Sequence, residues 1–596
     1  MNLLVTSGVA GRMKAHPRSV GHLFPSMLLL SAWLVCGSWS GSVSAQPADQ
    51  LYFGGPILTM KGDQPEFVEA LAVRQGRIMF VGPLADAKAI VDAKTNRIDL
   101  TGHTLLPGFI DGHSHLLTQA EGYLQAPLSP PPMGRVTTIA DILRELKDFQ
   151  RKHQVKEGEW IVGAGYDQNF LQEQRHPTAR DLDADFPNNP VVLLHASGHM
   201  LVANSRAFET VKINEQTPDP AGGAIIRLPG SRKPAGLVQE MALVPFSEFA
   251  TPVRELAVDL RLVEQAVEYY ASYGITTASE HLVLPQKMAL IKAAAAQGLF
   301  RIDVVATPAF MLAEKLVSDP SFVWRKYDRG LKFAGIKVAC DGSPQGKTAF
   351  LTEPYLTKAE GSGVENRGFA NVAQKDLDSL FQLTYAHGVQ MYAHCNGDAA
   401  VDMVLQAHRN AMSKIAKPSY DHRTVVIHSQ IMRPDQLLAY KELHLFPSFF
   451  TNHVFYWGET HRANLGAERS SFISPLGSAR RQGVRFSNHT DNTVTPIDPL
   501  FLLWTSVARR TRSGAVLGEA ERVSAYEGLR AMTADAAYEY FEEADKGTLE
   551  PGKLADLVIL DGNPVEVAPD ALKGIRVLET IKAGRVVYVR PQVEGQ

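Results

Sequence analysis

Cysteine is nearly missing from this chain. Three residues in 596 are too few for a disulfide scaffold, so an ordinary hydrophobic core must hold the fold. A charge of one sign is missing too. The 60 Lys and Arg are balanced by 63 Asp and Glu, for a formal net charge of −3. No Lys/Arg-rich run breaks that balance, which excludes the basic field a nucleic-acid partner would require. There is no low-complexity tract, and beyond the N-terminal region no apolar run reaches the roughly 20 residues of a membrane span. What is present, 45% hydrophobic and 21% charged residues, is a globular composition with length for one large domain and a smaller one.

The N-terminus carries Arg12, Lys14 and Arg18, then an apolar stretch from Met27 to Cys36, then small residues ending Val43-Ser44-Ala45 before Gln46. Charged, apolar and small segments in that order spell a secretory signal. The expectation is a signal peptide over 1–45 and an exported protein, periplasmic or secreted, with no stable membrane span after cleavage. The charged segment is long, which makes Met13 an alternative start. An uncleaved anchor is the other alternative, and the short apolar run argues against it. Val35 is a poor lipobox residue before Cys36.

Two segments at opposite ends echo each other: RQGRIMFV at 74–81 and KAGRVVYV at 582–589. Each is a Gly-containing turn entering a β-rich run, as a hairpin requires. With ADLVIL at 555–560, they predict a small β-sandwich domain built from 46–106 and 545–596. Between them, short β-rich runs alternate with helical stretches, the pattern of a parallel α/β fold. The strand candidates are Phe109–His113, Gly274–Ser279, Arg301–Val305, Gly335–Ala339, Gln390–His394, Thr424–His428, Leu445–Phe450 and Val484–His489. Eight is the number of a TIM (β/α)8 barrel, and the span far exceeds the roughly 250 residues such a barrel needs. The expected catalytic domain is therefore 107–544, with an insertion over about 117–266 that the Pro-rich LSPPP at 128–132 introduces.

The chemistry-bearing residues follow the β-runs. PGFIDGHSH at 107–115 ends an apolar strand in His113 and His115; residues i and i+2 of a strand face one side, so both imidazoles can reach one cation. In GIKVACDGS at 335–343, Lys337 lies inside an apolar run. It either snorkels from the strand end or is carbamylated by carbon dioxide and bridges two metals. His394 and His428 each close a further β-run, either as ligands or as satisfied rim residues. Asp491 follows the last run, as a metal ligand and proton acceptor or as a helix cap. His489 is its alternative, less well placed relative to the strand end.

The order His-x-His, Lys, His, His, Asp resembles the amidohydrolase superfamily. Several strings resemble its family 3, the YtcJ-like group that includes N-substituted formamide deformylases. These are PGFIDGHSH, GIKVACDGS, HCNGDAAVDMVL at 394–405, VVIHSQ at 425–430, TDNTVTPIDP at 490–499 and KGTLEPGKLADLVILDGNP at 546–564. The insertion resembles the group at GAGYDQ (163–168) and SGH (197–199). The resemblance implies metal ligands His113, His115, His394 and His428, with Asp491 as ligand and general base. It makes Lys337 the carbamylated bridge if the centre is binuclear. The sequence departs from the family pattern at Cys395-Asn396 and at FPSFFTNH (446–453), which puts the substrate in doubt rather than the metal.

The implied activity is hydrolysis of a non-peptide, amide- or formamide-type C–N bond in a small molecule. The cofactor would be a divalent metal, one or two ions per chain, with zinc as the expected identity. A second metal, or a nearby donor such as His453, is expected to hold the oxyanion, and Tyr166, Asp167, His199, Asn452 and Trp457 are the expected substrate contacts. Two competing readings are a ring deaminase on the same barrel, for which Lys337 is superfluous, and a non-catalytic binding protein, which would not keep every ligand position filled. Oligomeric state is left open. So is pairing of Cys340 with Cys395, for which two reduced thiols is the simpler reading.

Overall fold

The structure is a computed structural model that describes residues 47–247, 254–359, 365–415 and 421–591. The expected signal peptide lies outside these residues. Among the described residues no helix is long and apolar enough to cross a membrane.

Both chain ends enter one eight-stranded sheet. Its path runs Arg585–Val589, Val577–Lys582, Leu557–Leu560, Thr104–Pro107, Gln50–Leu58, Phe67–Arg74 and Arg77–Gly82, with Asn96–Asp99 pairing off Gln50–Leu58. The two echoing segments are hairpins. Their turn pairs, Gln75-Gly76 and Ala583-Gly584, all have positive φ, between 46° and 76°. That is the type I′ geometry that matches strand twist. The turns abut, with Ala555 N–H donating to Gly76 O and Gly584 N–H donating to Ala555 O, each at 2.9 Å. A Cβ on Gly76 would stand 2.7 Å from the Ala583 carbonyl oxygen, so glycine is required there. Where the sequence predicts a sandwich, both ends form this single continuous sheet.

Each of the eight predicted runs in the middle of the chain overlaps a parallel strand. Phe109–Ile110, Ile275–Val283 and Asp303–Pro308 form one sheet with Leu331–Phe333 and the antiparallel Tyr327–Asp328. Gly335–Ala339, Gln390–Cys395, Val425–His428, Phe446–Phe449 and Ser487–Asn488 form a second, parallel throughout and in chain order. On one side a parallel bridge between Ala309 and Lys337 joins the sheets. On the other, Asp491 N–H donates to His113 O (3.2 Å) and His115 N–H to Asn492 O (2.7 Å).

Alternation along the strands sorts side chains to the two faces. Ile336, Val338, Met391, Ala393, Cys395 and Val426 pack outward with helical residues such as Phe381, Tyr385, Val401 and Tyr440. Tyr392, Val425, Ile427 and Phe446 pack inward with Ala536, Ala537 and Tyr540. The short helix Ala534–Glu539 thus helps fill the interior. The Tyr540 hydroxyl sits 2.9 and 2.7 Å from the Asp111 and Gly112 carbonyl oxygens, which steadies the segment leading into His113.

A third, six-stranded sheet arises wholly between Ala126 and Glu240, in the order Gly223–Arg227, Pro234–Glu240, Met200–Ala203, Val191–His195, Ile161–Tyr166, Ala126–Pro127. It has its own core of Leu146, Ile161, Leu193, Val202 and Leu237.

A buried charge network ties the interior strands to the C-terminal segment. The Glu542 carboxylate pairs with Lys332 and, at 2.6 Å, with Lys546; Lys546 also meets Asp303 at 2.6 Å. Burial pushes the Glu542 pKa up, but the two ammonium groups outweigh it and hold it at about 2. Glu542→Gln should leave two buried ammonium groups short of countercharge and cost roughly 3–5 kcal/mol. The pKa is depressed on folding, so the stabilisation is full above the ordinary Glu value of 4.5 and fades as pH falls toward about 2. Urea midpoints for wild type and variant should therefore differ at pH 7 and converge in acid. Equal midpoints at pH 7 would show that the network contributes nothing.

Candidate active site

The first interior strand delivers His113 and His115 just past its end, and the eighth delivers Asp491. His113 Nε2 lies 3.2 Å and His115 Nε2 3.5 Å from Asp491 Oδ1, with His428 Nε2 3.9 Å from Asp491 Oδ2. His113, His428 and Asp491 are buried, and one ligand atom from each lies within 4.8 Å of the others. Simple alternation would turn His428 away from the inward-facing Ile427. Positive φ at His428 (72°) and Ser429 (43°) brings it back, and Asp491 is also left-handed at 52°. Sparsely populated backbone of this kind concentrates where function fixes a side chain.

Lys337 faces inward as alternation requires. It is 2% exposed and its Nζ has no hydrogen-bond partner. Burial pulls its pKa down to about 7, against the opposing pull of Asp491. His394 stands beside it with ring centre 4.5 Å from that of His428. Burial also drives His113, His281 and His428 well below the usual imidazole range, which keeps them neutral, the state in which a nitrogen can bind metal. Burial alone would raise Asp491, yet the surrounding His115, His428 and His489 imidazoles hold it below the usual carboxylate range.

These groups line a cavity of about 350 Å³. One wall is the loop from Leu194 to Met200 of the inserted sheet, including Ser197 and His199. Several partners in this site escaped the sequence reading. His115 Nδ1–H donates to the His281 carbonyl (3.0 Å). Asp341 lies 3.2 Å from His394 Nδ1 and is fixed by the amides of Asn396, Gly397 and Phe350 at 2.7–3.0 Å. Asp341 stands in the string at 335–343, two residues past the strand, where the sequence reading assigns a role to Lys337 alone. His489 stacks on Phe450 with centroids 5.0 Å apart and lies behind His113 and His428, while Asp491 makes the close contacts.

Among the five expected substrate contacts, only His199 lines the cavity. Tyr166 is fully buried in the insertion's core, its hydroxyl 3.1 Å from His176 Nδ1. Asp167 accepts from Trp457 Nε1 (2.7 Å), and both side chains are buried. Asn452 is spent on Thr495 and Thr505. His453, an expected oxyanion donor, turns its Nδ1 to His461 Nε2 at 3.0 Å. The polar atoms of these four contacts and of His453 are consumed by packing: Tyr166 pairs within the insertion, His453 within the helix Asn452–Ser471, Asn452 with Thr495 and Thr505, and Trp457 joins that helix to Asp167. Cys340 and Cys395 are free, buried thiols.

The amidohydrolase family model matches residues 97–588. The chain is similar to Protein LONG AFTER FAR-RED 3 of Arabidopsis thaliana, 30% identical over 92% of this chain and 94% of that protein. It is also similar to an N-substituted formamide deformylase of Arthrobacter pascens, 27% identical over 88% of this chain and 95% of that one. An uncharacterized metal-dependent hydrolase from Pyrococcus horikoshii OT3 shares the fold, with TM-score 0.69, 22% identity and coverage of 87% of this chain and 99% of that one. With a family model spanning most of its length, the chain belongs to the amidohydrolase family.

Proposed function

We propose that this chain is a metal-dependent hydrolase that cleaves a non-peptide, amide- or formamide-type C–N bond of a small molecule. In this reading the two parallel sheets are halves of one (β/α)8 barrel whose strand ends carry the site. The observation that carries it is the convergence of His113, His428 and Asp491, all buried, with ligand atoms within 4.8 Å. The fit to a metal is chemical: Asp491 Oδ1 and Lys337 Nζ, which face the imidazoles, are buried without hydrogen-bond partners, a costly state unless something else satisfies them. Nitrogen and carboxylate donors of this kind suit zinc. His113, His115, His394, His428 and Asp491 would hold one or two ions, with Lys337 as bridge in the binuclear case. A divalent cation bound there supplies Lewis acidity and lowers the pKa of a coordinated water toward about 7.

Asp491 is the carboxylate that meets His113, His115 and His428 together, at 3.2–3.9 Å, so it takes the proton of the attacking water and returns it to the leaving nitrogen. His281 and Asp341 orient His115 and His394 from behind, as partners of ligand imidazoles do. A cavity of about 350 Å³ holds a small acyl amine and excludes a folded polypeptide. Support for the formamide class comes from the deformylase relative. A panel of N-formyl and N-acyl amines, assayed before and after removing the metal with chelator and restoring zinc, tests this. Turnover should vanish and return with metal. Metal-independent turnover, or ammonia release from aminated rings alone, would replace this assignment.

A further inference from the structure

The inserted sheet contributes an imidazole as well as a wall. His199 immediately precedes the strand Met200–Ala203, and Glu240 ends the antiparallel strand Pro234–Glu240. Glu240 N–H donates to His199 O at 2.9 Å, so the two residues are cross-strand neighbours. Glu240 Oε2 accepts from His199 Nδ1 and from Asn371 Nδ2, both at 2.9 Å. Its other oxygen fills the place of a side chain at position 342, where a Cβ would stand 2.0 Å from it. The carboxylate is thus locked, its side chain 2% exposed. It fixes the tautomer of His199, with the proton on Nδ1 and the Nε2 lone pair free.

That Nε2 lies 3.2 Å from His394 Nε2, and His394 Nδ1 in turn faces Asp341 at 3.2 Å. Two imidazoles, each backed by a carboxylate, therefore present lone pairs to each other. Such nitrogens repel unless a proton or a cation lies between them. A tetrahedral zinc with Zn–N bonds of about 2.0–2.1 Å sets two of its nitrogens roughly 3.3 Å apart, close to the spacing seen. We propose that His199 is a metal ligand which, with His394, holds a divalent cation at a second position of the centre, with Glu240 and Asp341 as the orienting carboxylates. The proposal rests on reading the site as a metal centre, and it adds a ligand supplied by the insertion rather than by a strand end of the two parallel sheets.

The test uses the full chain, stripped by chelator and titrated with Co²⁺. Bound cobalt is counted and the visible ligand-field spectrum recorded, alongside far-UV circular dichroism. The wild type should bind two cobalt ions. His199→Asn should lose about one and change the spectrum. Glu240→Gln, which keeps the shape but weakens the orienting bond, should lower affinity for the second ion by about 10–100-fold, and carries the test if His199→Asn does not fold. A wild type that takes up no cobalt overturns the metal centre itself. A wild type that binds cobalt with stoichiometry and spectrum untouched by His199→Asn or Glu240→Gln leaves the centre standing and overturns His199 as a ligand. A proton between the two nitrogens would give that second result.

Discussion

Asp491→Asn is expected to lower kcat by about 10²–10⁴-fold while most of the metal stays bound. Asparagine keeps one oxygen where the Asp491 carboxylate meets His113 Nε2 at 3.2 Å, but its amide cannot accept a proton at neutral pH. The backbone argument points the same way. Residue 491 has φ of 52°, a region Asp and Asn tolerate and Ala does not, so the substitution removes the base without forcing the loop to move. His113→Ala is the contrast, lowering metal content directly. Metal analysis and steady-state kinetics on a verified substrate separate the two. Near-wild-type kcat in Asp491→Asn would remove Asp491 from the role of base.

The second large effect is expected at Lys337. We propose that its amine reacts with carbon dioxide: Nζ forms a C–N bond, one proton is released, and the product is an anionic carbamate able to bridge two metals. Geometry motivates this. An interior strand presents the amine to a cluster of imidazoles, 2% exposed and without a hydrogen-bond partner. A bare ammonium there would repel the cations and cost several kcal/mol to desolvate, whereas a carbamate reverses the sign of both effects. Lys337→Ala should lose about one metal per chain and most activity, and excess acetate or propionate should restore part of each by entering the vacated space. Lys337→Arg should resist rescue, because it fills that space with a permanent positive charge. Intact mass in bicarbonate reads the modification. Full activity with one metal and an unmodified amine would make the centre mononuclear.

Much of this site was legible because parallel α/β folds gather their chemistry at strand ends. His113, His115, His394, His428 and Asp491 close or follow β-runs, and period-2 alternation sends Lys337, in the middle of one, inward. The positive φ values that turn His428 and Asp491 to the cavity leave no mark in composition. The insertion was read less well. Tyr166, Asp167 and Trp457 have the chemistry of substrate contacts, but whether a polar atom faces a cavity or another side chain depends on how two elements dock, and Trp457 Nε1 is spent on Asp167. His199 stood out as Ser-Gly-His, whereas the carboxylate that orients it, Glu240, comes from a distant strand. Cross-sheet pairing of this kind has no short motif to announce it.

The sheet shared by the chain's two ends constrains the order in which the molecule can be completed. Thr104–Pro107 pairs along one edge with Leu557–Leu560, Pro107 opposite Leu557. Until the last tenth of the chain has been synthesised, that edge presents unpaired amides and carbonyls, with apolar Leu105 and Leu106 lacking the strand they pack beside. An open apolar strand edge is a template for wrong partners, and contacts so far apart in sequence form late. The parallel sheets between the two ends can condense while the chain is still growing, but the terminal sheet cannot. Shielding that edge during the wait falls to whatever holds nascent chains.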